Sequence, residues 1–330
     1  MTNEKNLSNV ITPRRFINRF GIVIAFFALS LILSFASEYF LTTGNITNVL
    51  RQTSINGILA LGMTCVILTG GIDLSVGSVV ALSGVVSASF ATRSTLMMVD
   101  GAPYPLLLVL CIGIAVGAAC GAINGVLIAY FRIPAFVTTL GMLSAARGMT
   151  ELYTNGQPVP NLAPSFRFIG TGLVYGIPLP VIIFLSLCLV IWILLKKTCF
   201  GRYIYAVGGN ERSARTSGIN TKRIIFSVYV ISGAMAGLAG MILAARTGSA
   251  LVQAGIAYEL DAIAAVVIGG TSLSGGVGSS VYTLFGAMII GVMNNGLDLL
   301  GVQSFYQKIV KGIIIVLAVL LDGSRKNHDN

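Results

Sequence analysis

Apolar runs of about 20 residues, the length that carries a helix across a bilayer core, recur along nearly the whole chain. Glycine- and proline-rich or charged breaks separate them. The pattern predicts spans at about 19–41, 52–70, 77–92, 105–131, 135–154, 178–196, 223–245, 260–270 with a glycine-rich continuation, 278–297 and 305–322. The second and eighth are short or carry polar residues, so nine or eleven spans stay open beside ten. The expected fold class is an all-α polytopic membrane protein. It has an N-terminal tail at 1–18, a transmembrane domain at 19–322 and a C-terminal tail at 323–330.

Composition excludes a soluble reading of the same pattern. Hydrophobic residues are 55% of the chain and charged residues 10%, against about 25% charged in a soluble domain. The mean hydropathy is +0.89. Charge then orients the spans. Lys5, Arg14, Arg15 and Arg19 precede the first run, Lys196, Lys197 and the basic residues of 201–223 follow the sixth, and Arg325 and Lys326 close the chain. An even number of spans between them puts all three on one side, which the positive-inside rule makes cytoplasmic. The 93–104 and 155–177 loops are then outside. The net charge of +10 reads as topology and attraction to anionic membrane lipid, with no nucleic-acid role.

The first run resembles a signal peptide in its basic start and in Ser34-Phe35-Ala36, but it is long enough to be a retained span. Cys65, Cys111, Cys120 and Cys188 sit in apolar runs and Cys199 at a cytoplasmic boundary, so no disulfide framework is indicated. The sole histidine, His328, lies in the polar tail. This excludes a His-based metal site or a Ser-His relay within the spans. There is no GxxxxGK[ST] phosphate loop, so ATP-driven work would need ATP and magnesium on another chain, with no cofactor here.

Two segments interrupt apolar runs with glycine, Thr69–Gly84 and Ile268–Val281, and both contain GGxxLS. The first reads Gly70-Gly71-Ile72-Asp73-Leu74-Ser75 and the second Gly269-Gly270-Thr271-Ser272-Leu273-Ser274. Dense glycine is poor helix interior, and backbone opened at membrane depth survives only where protein or a water-filled cavity satisfies it. These segments therefore predict broken helices, and transporters place such helices along the translocation path. Capping by Asp73, Ser75 and Ser274, with glycines that let helices pack closely, is the competing reading. Asn124-Gly125 and Asn294-Asn295-Gly296 echo each other in oppositely directed spans and suggest an inverted repeat. Asn124, Asn294 and Asn295 either bond neighbouring helices or face a polar path. Asp73, Glu151, Glu259, Asp261 and Asp298 fall near span ends or breaks, a pattern that suits a neutral solute better than a proton relay.

The stretch Gly201–Arg223, GRYIYAVGGNERSARTSGINTKR, is the most charged run in the chain. Asn210 fits an N-cap, Glu211 the first turn, Arg215 the C-terminal end and Gly218 the C′ position of a helix of about two turns. Helices this short are marginal in water. The segment is thus either a solvated loop or an element that needs a docking surface.

The pattern GRYIYAVGGNERSARTSGI resembles the cytoplasmic coupling loop, here at about 197–222, of the permease subunits of bacterial ABC sugar importers, in their ribose/galactose/allose-type branch. Gly62–Ser78, Tyr258–Ser279 and Asn294–Gly312 are similar to the same branch, and the resemblance runs from about residue 40 to 322. It implies a type II importer-like fold and a second permease copy. It also implies a cytoplasmic ABC ATPase against the loop, an extracytoplasmic sugar-binding protein, and a monosaccharide moved through the bacterial inner membrane by alternating access. Gly208, Gly209, Asn210, Glu211, Ala214, Gly218 and Ile219 match the loop motif and would dock the ATPase. Gly70, Gly71, Asp73, Ser75, Asn124, Gly269, Gly270, Thr271, Ser274, Asn294 and Asn295 are the translocation-path candidates. Relatives often carry a basic residue where Gly278-Ser279-Ser280 has its second serine, which leaves a charge contact there in doubt. Ribose is the first expectation for the sugar, with allose, galactose, inositol and furanose-like molecules as alternatives. The competing functions are a proton-coupled secondary carrier using Asp73, a passive channel and, last, an intramembrane enzyme.

Overall fold

In the computed structural model the described residues are 13–92, 104–303, 305–314, 316 and 320. Most of the expected outer loop 93–104, the first part of the N-terminal tail and the whole 323–330 tail lie outside them. The helices are α1 (Pro13–Ala36), α2 (Thr43–Leu68), α3 (Val76–Ala91), α4 (Leu106–Ala129), α5 (Ala135–Thr154), α6 (Pro164–Thr171), α7 (Leu179–Lys197), α8 (Cys199–Gly209), α9 (Glu211–Thr216), α10 (Thr221–Thr247), α11 (Tyr258–Ile268) and α12 (Ser280–Leu299). A further helical stretch, α13, follows at 305–314. Strands β1 (Leu173–Val174) and β2 (Ile177–Pro178) form one hairpin between α6 and α7.

Ten of these helices fall on the ten apolar runs. Among the described residues, α4, α7, α10 and α12 are long and apolar enough to cross a bilayer, and Gly21–Ala36 and α3 are shorter apolar helices. Three elements differ from the expectation. The second span begins at Thr43, earlier than its apolar run, because Thr42 accepts the Asn45 N–H as an N-cap. The 155–177 segment, expected outside, is not a plain loop. It holds α6, anchored by buried Phe166 and Ile169, and a hairpin turned through Tyr175 and Gly176, both at positive φ. The 197–222 segment contains α8 ahead of the expected short helix: Thr198 caps it by accepting from Gly201 N, and Gly201, Ile204 and Val207 form its buried face.

The core is built around α2, buried continuously from Thr53 to Leu68, and α10. Between helices in lipid the driving force is contact rather than expulsion of water, so small residues that let backbones approach are favoured. On α4, Gly113, Gly117, Gly121 and Gly125 recur every fourth residue and share one face. That face lies on α10: a Cβ at Gly117 would overlap the Gly233 carbonyl, and one at Gly125 would stand 2.9 Å from the Phe226 carbonyl. Gly84 of α3 and Gly240 of α10 make a similar contact. The glycine stripe is what seats α4 against the core.

Gly117→Val forces the α4–α10 backbones apart, and overpacking of this kind costs about 1–3 kcal/mol. Thermal unfolding of the detergent-purified variant is expected well below wild type. Gly44→Ala, where an added Cβ meets nothing within 4 Å, is expected to be neutral or slightly stabilising. Equal melting of Gly117→Val and wild type would remove the stripe as the packing determinant.

Candidate functional site

Both glycine breaks are helix C-termini closed in the same way. After α2, Gly70 N donates to Ile67 O at 2.8 Å and Gly71 N to Val66 O at 3.2 Å. After α11, Gly270 N donates to Val267 O at 2.8 Å and Thr271 N to Val266 O at 3.2 Å. Gly70 and Gly270 hold φ of 81° and 80°, a left-handed conformation that glycine adopts without Cβ strain. The conformational partner of Gly70 is therefore Gly270, one residue out of the register that the letters GGxxLS suggest. Gly71 corresponds to Thr271, and Gly269 to Thr69.

The two breaks touch, and the C-terminal end of α8 lies against both. Gly276 N donates to Leu68 O at 2.9 Å. A Cβ at Gly275 would stand 2.9 Å from both Gly208 O and Gly70 N, and one at Gly276 would stand 2.9 Å from Gly209 Cα. Gly275 and Gly276 are also at positive φ, 84° and 75°. Three chain segments thus meet backbone to backbone. Tyr205 of α8 adds a hydrogen bond to Gly278 O at 2.9 Å, beside Ser279 and Ser280.

From this junction the chain runs straight into α9. Asn210 Oδ1 accepts from Ser213 N at 3.0 Å. Glu211 Oε1 accepts from Arg215 at 3.2 Å and from the Thr221 hydroxyl at 3.1 Å. Gly218 has φ of 83°, and Ile219 N returns to Ala214 O at 3.1 Å. Ala214 is the only buried residue of α9. The helix is pinned at both ends to the body of the protein and presents its remaining residues to the outside.

The polar path candidates divide into buried clusters and an exposed edge. Asp73 is 1% exposed. Its Oδ1 accepts from Ser75 N at 3.0 Å and Ser75 Oγ at 2.6 Å, its Oδ2 accepts from Ser232 Oγ at 2.9 Å, and Asn124 donates to Ser75 Oγ at 3.0 Å. The cluster ties the first break to α4 and α10. Asn295 and Asn45 exchange two amide hydrogen bonds of 2.7 and 2.9 Å between α12 and α2. Thr271 and Gly269 are buried, Gly71 is half-buried, and Gly70, Gly270 and Ser274 are exposed. Asn124 Oδ1, Asn294 Oδ1 and Thr271 Oγ1 lack a partner among the described residues.

A second cluster centres on Asp261, in the first turn of α11, where the helix dipole favours an acid. Lys311 of α13 lies 2.8 Å from its Oδ1 and 3.0 Å from its Oδ2. Asn294 donates to Oδ2 at 3.3 Å, and Asn56 of α2 reaches the same oxygen at 3.5 Å. Sequence reasoning named Asn294 but missed Asn45, Asn56, Ser232 and Lys311. The available signal was Lys311 itself, a cation inside the last apolar run that needs a partner.

A helical permease built around broken helices is the class these features define. The family described as branched-chain amino acid transport system / permease component matches residues 45–319, and the chain belongs to it. Among its relatives is the ribose import permease of Escherichia coli K12, 49% identical over 308 residues, covering 92% of this chain and 93% of that protein. The ribose import permease of Bacillus subtilis 168 is 48% identical over 306 residues, 92% of each. The D-allose transport system permease of E. coli K12 is 42% identical over 301 residues, 90% of each. No solved structure matches.

The Asp261–Lys311 pair, with side chains 2% and 16% exposed, joins α11 to α13 through charge, and the amides of Asn294 and Asn56 bring α12 and α2 to the same carboxylate. Removing one partner strands the other in an apolar span, which costs about 3–5 kcal/mol, whereas removing both can be nearly neutral. Lys311→Met and Asp261→Asn are each expected to lower the melting temperature sharply, and the double variant to recover most of the loss. Additive losses in a double-mutant cycle would show that the two do not act as a pair.

Proposed function

We propose that this chain is the membrane subunit of an ATP-driven monosaccharide importer, with ribose as the sugar. It works as two copies with a cytoplasmic ABC ATPase on α9 and an extracytoplasmic sugar-binding protein on the opposite face. The multi-pass chain lies in the bacterial inner membrane with both termini cytoplasmic. ATP and magnesium belong to the ATPase. The substrate follows from the names of the ribose import permeases, which align with more than nine-tenths of the chain. Galactose and allose permeases are more distant, at 39% and 42% identity.

The observation that carries the mechanism is the joint between α9 and the two breaks. ATP binding closes the ATPase dimer and displaces α9, and α8 moves with it because only Asn210 separates them. Gly208 and Gly209 then press directly on Leu68–Gly70 and Gly275–Gly276. Backbone on backbone leaves no flexible side chain to absorb the displacement. Both broken helices tilt together, and the access side changes.

The sugar path is proposed along the exposed Gly70, Gly270 and Ser274 and the outward face of α5. There Gly141, Ser144, Ala145 and Gly148 are exposed in one copy, and a Cβ at Gly141 or Gly148 meets nothing within 4 Å. These small residues lie among exposed Val137, Leu140 and Leu152, and leave room there for a neutral sugar between two copies. Asp73, Ser75, Asn124, Asn294 and Asn295 are assigned the supporting role of holding the helices that form the path. Both oxygens of Asp73 are already engaged, so nothing in its surroundings favours proton coupling.

Two variants separate docking from transmission. Ser213→Trp places bulk on the exposed face of α9, and loss of a central contact weakens an interface by about 2 kcal/mol or more. Co-purification of the ATPase and ribose uptake are both expected to fall at least tenfold while membrane insertion is retained. Gly208→Val should keep the ATPase bound but abolish stimulation of ATP hydrolysis by ribose-loaded binding protein. Gly209→Ala, with open space around its Cβ, should behave as wild type. Unimpaired uptake in Ser213→Trp would sink the docking role of α9.

A further inference from the structure

A cavity of about 430 Å³ lies between α9 and the turn that joins α4 to α5. Its walls differ in character. Ile128, Ile133, Pro134 and Ile225 supply an apolar side, and Arg132, Arg212 and Arg215 bring three guanidinium groups to the other. The single acid in the lining, Glu211, is occupied by Arg215 at 3.2 Å and by Thr221. Arg132 and Arg212 have no hydrogen bond or ion pair among the described residues. Lys222 stands over the Tyr130 ring at 5.6 Å and adds to the positive potential nearby. Unlike Lys311 and Arg215, these two arginines pair with no acid among the described residues.

Backbone geometry points the same way. Arg132 holds φ of 58°, a left-handed conformation costly for a residue with a Cβ, and such strain clusters at binding sites. Ile133 N donates back to Leu127 O at 3.2 Å, so the turn is fixed rather than open. Pro134 precedes α5 and gives it no side-chain cap, which leaves the first N–H groups of that helix able to face an anion. The apolar wall continues outward into exposed Phe131, Ile133 and Phe136, at the end of an α4 that is mostly exposed along its apolar length. The cavity therefore sits where the acyl region of a bilayer gives way to its headgroups. Free phosphate would use the guanidiniums and leave the apolar wall bare.

We propose that this cavity binds an anionic phospholipid. Its phosphate is held by Arg132 and Arg212, whose planar forks match phosphate oxygens, and its first acyl carbons lie against Ile128, Ile133 and Phe131. A lipid seated there bridges the α4–α5 turn to α9 and steadies the coupling helix. That consequence for transport rests on the docking role of α9, whereas the lipid site itself does not.

The test uses the purified full chain and two probes, phosphatidylglycerol and phosphatidylcholine supplied in equal amounts, with bound lipid counted by native mass spectrometry. Wild type is expected to retain phosphatidylglycerol about tenfold over phosphatidylcholine, as a small number of cations at an anionic surface should give. Arg132→Gln/Arg212→Gln should fall to near parity, and Arg132→Lys/Arg212→Lys should keep part of the preference. A photoactivatable phosphatidylglycerol should label residues 128–136 and 211–225 of the unmodified protein, a readout independent of whether any variant folds. Unchanged preference in the glutamine variant, or labelling elsewhere, overturns the proposal. So does full displacement of lipid by millimolar inorganic phosphate, which would make this a free-anion site. Loss of ATPase co-purification with unchanged lipid retention would assign the cavity to the ATPase instead. Because lipid binding is read without the ATPase, failure of the docking role would leave these outcomes unaffected.

Discussion

A hydrocarbon solvent offers no partner to an opened backbone, so a helix can break within a membrane protein only where other protein atoms meet the freed groups. Here the two breaks satisfy that requirement largely through their own turns, and one further bond joins them. The carbonyl of Leu68, at the end of α2, is taken by the N–H of Gly276 in the second break. The remaining space between them is so small that the end of α8 fits only because Gly208, Gly275 and Gly276 lack side chains. The arrangement of α2, α3, α11 and α12 depends on this meeting point.

The same scarcity of partners explains how polar side chains are used. Asp73, Ser75, Asn124 and Ser232 form one network, and Asp261, Asn56, Asn294 and Lys311 another. Each places a carboxylate near a helix end and brings it a donor from at least one other helix. Buried ionic groups of this sort add little net stability and fix geometry through the cost of leaving any one unpaired. They hold the angles between helices while the glycine contacts hold the distances. Neither kind of interaction requires a polar channel through the body of one chain.

Much of the helix order was legible because a bilayer imposes one dominant period on the sequence. The apolar runs, the glycine breaks and the cap residues Asn210 and Gly218 each carry a local physical signature. α8 escaped because its buried face, Gly201, Ile204 and Val207, is only a few residues wide and is interleaved with Arg202, Tyr203 and Tyr205. The partners of the intramembrane asparagines could not be read for a different reason. Asn45 and Asn295 are 250 residues apart, and nothing local to either records the other. The register of the repeat was misleading because GGxxLS is a match of letters, whereas the helix ends are matched by positive φ at Gly70 and Gly270.

That one-residue offset puts different side chains at the same place in the two turns. In the first, the residue three beyond Gly70 is Asp73, and its carboxylate recruits Ser75 from its own turn and Ser232 from α10. In the second, the residue three beyond Gly270 is Leu273, which offers no such bond. The second turn is instead closed by its own backbone, with Ser272 N donating to Val277 O at 2.9 Å and Gly275 N to Ser272 O at 3.0 Å. The second break is also tied outward, through Gly276 N to Leu68 O at 2.9 Å and through Tyr205 to Gly278 O at 2.9 Å. The two breaks share a backbone turn, and the first also ties α4 and α10 together through the Asp73 network.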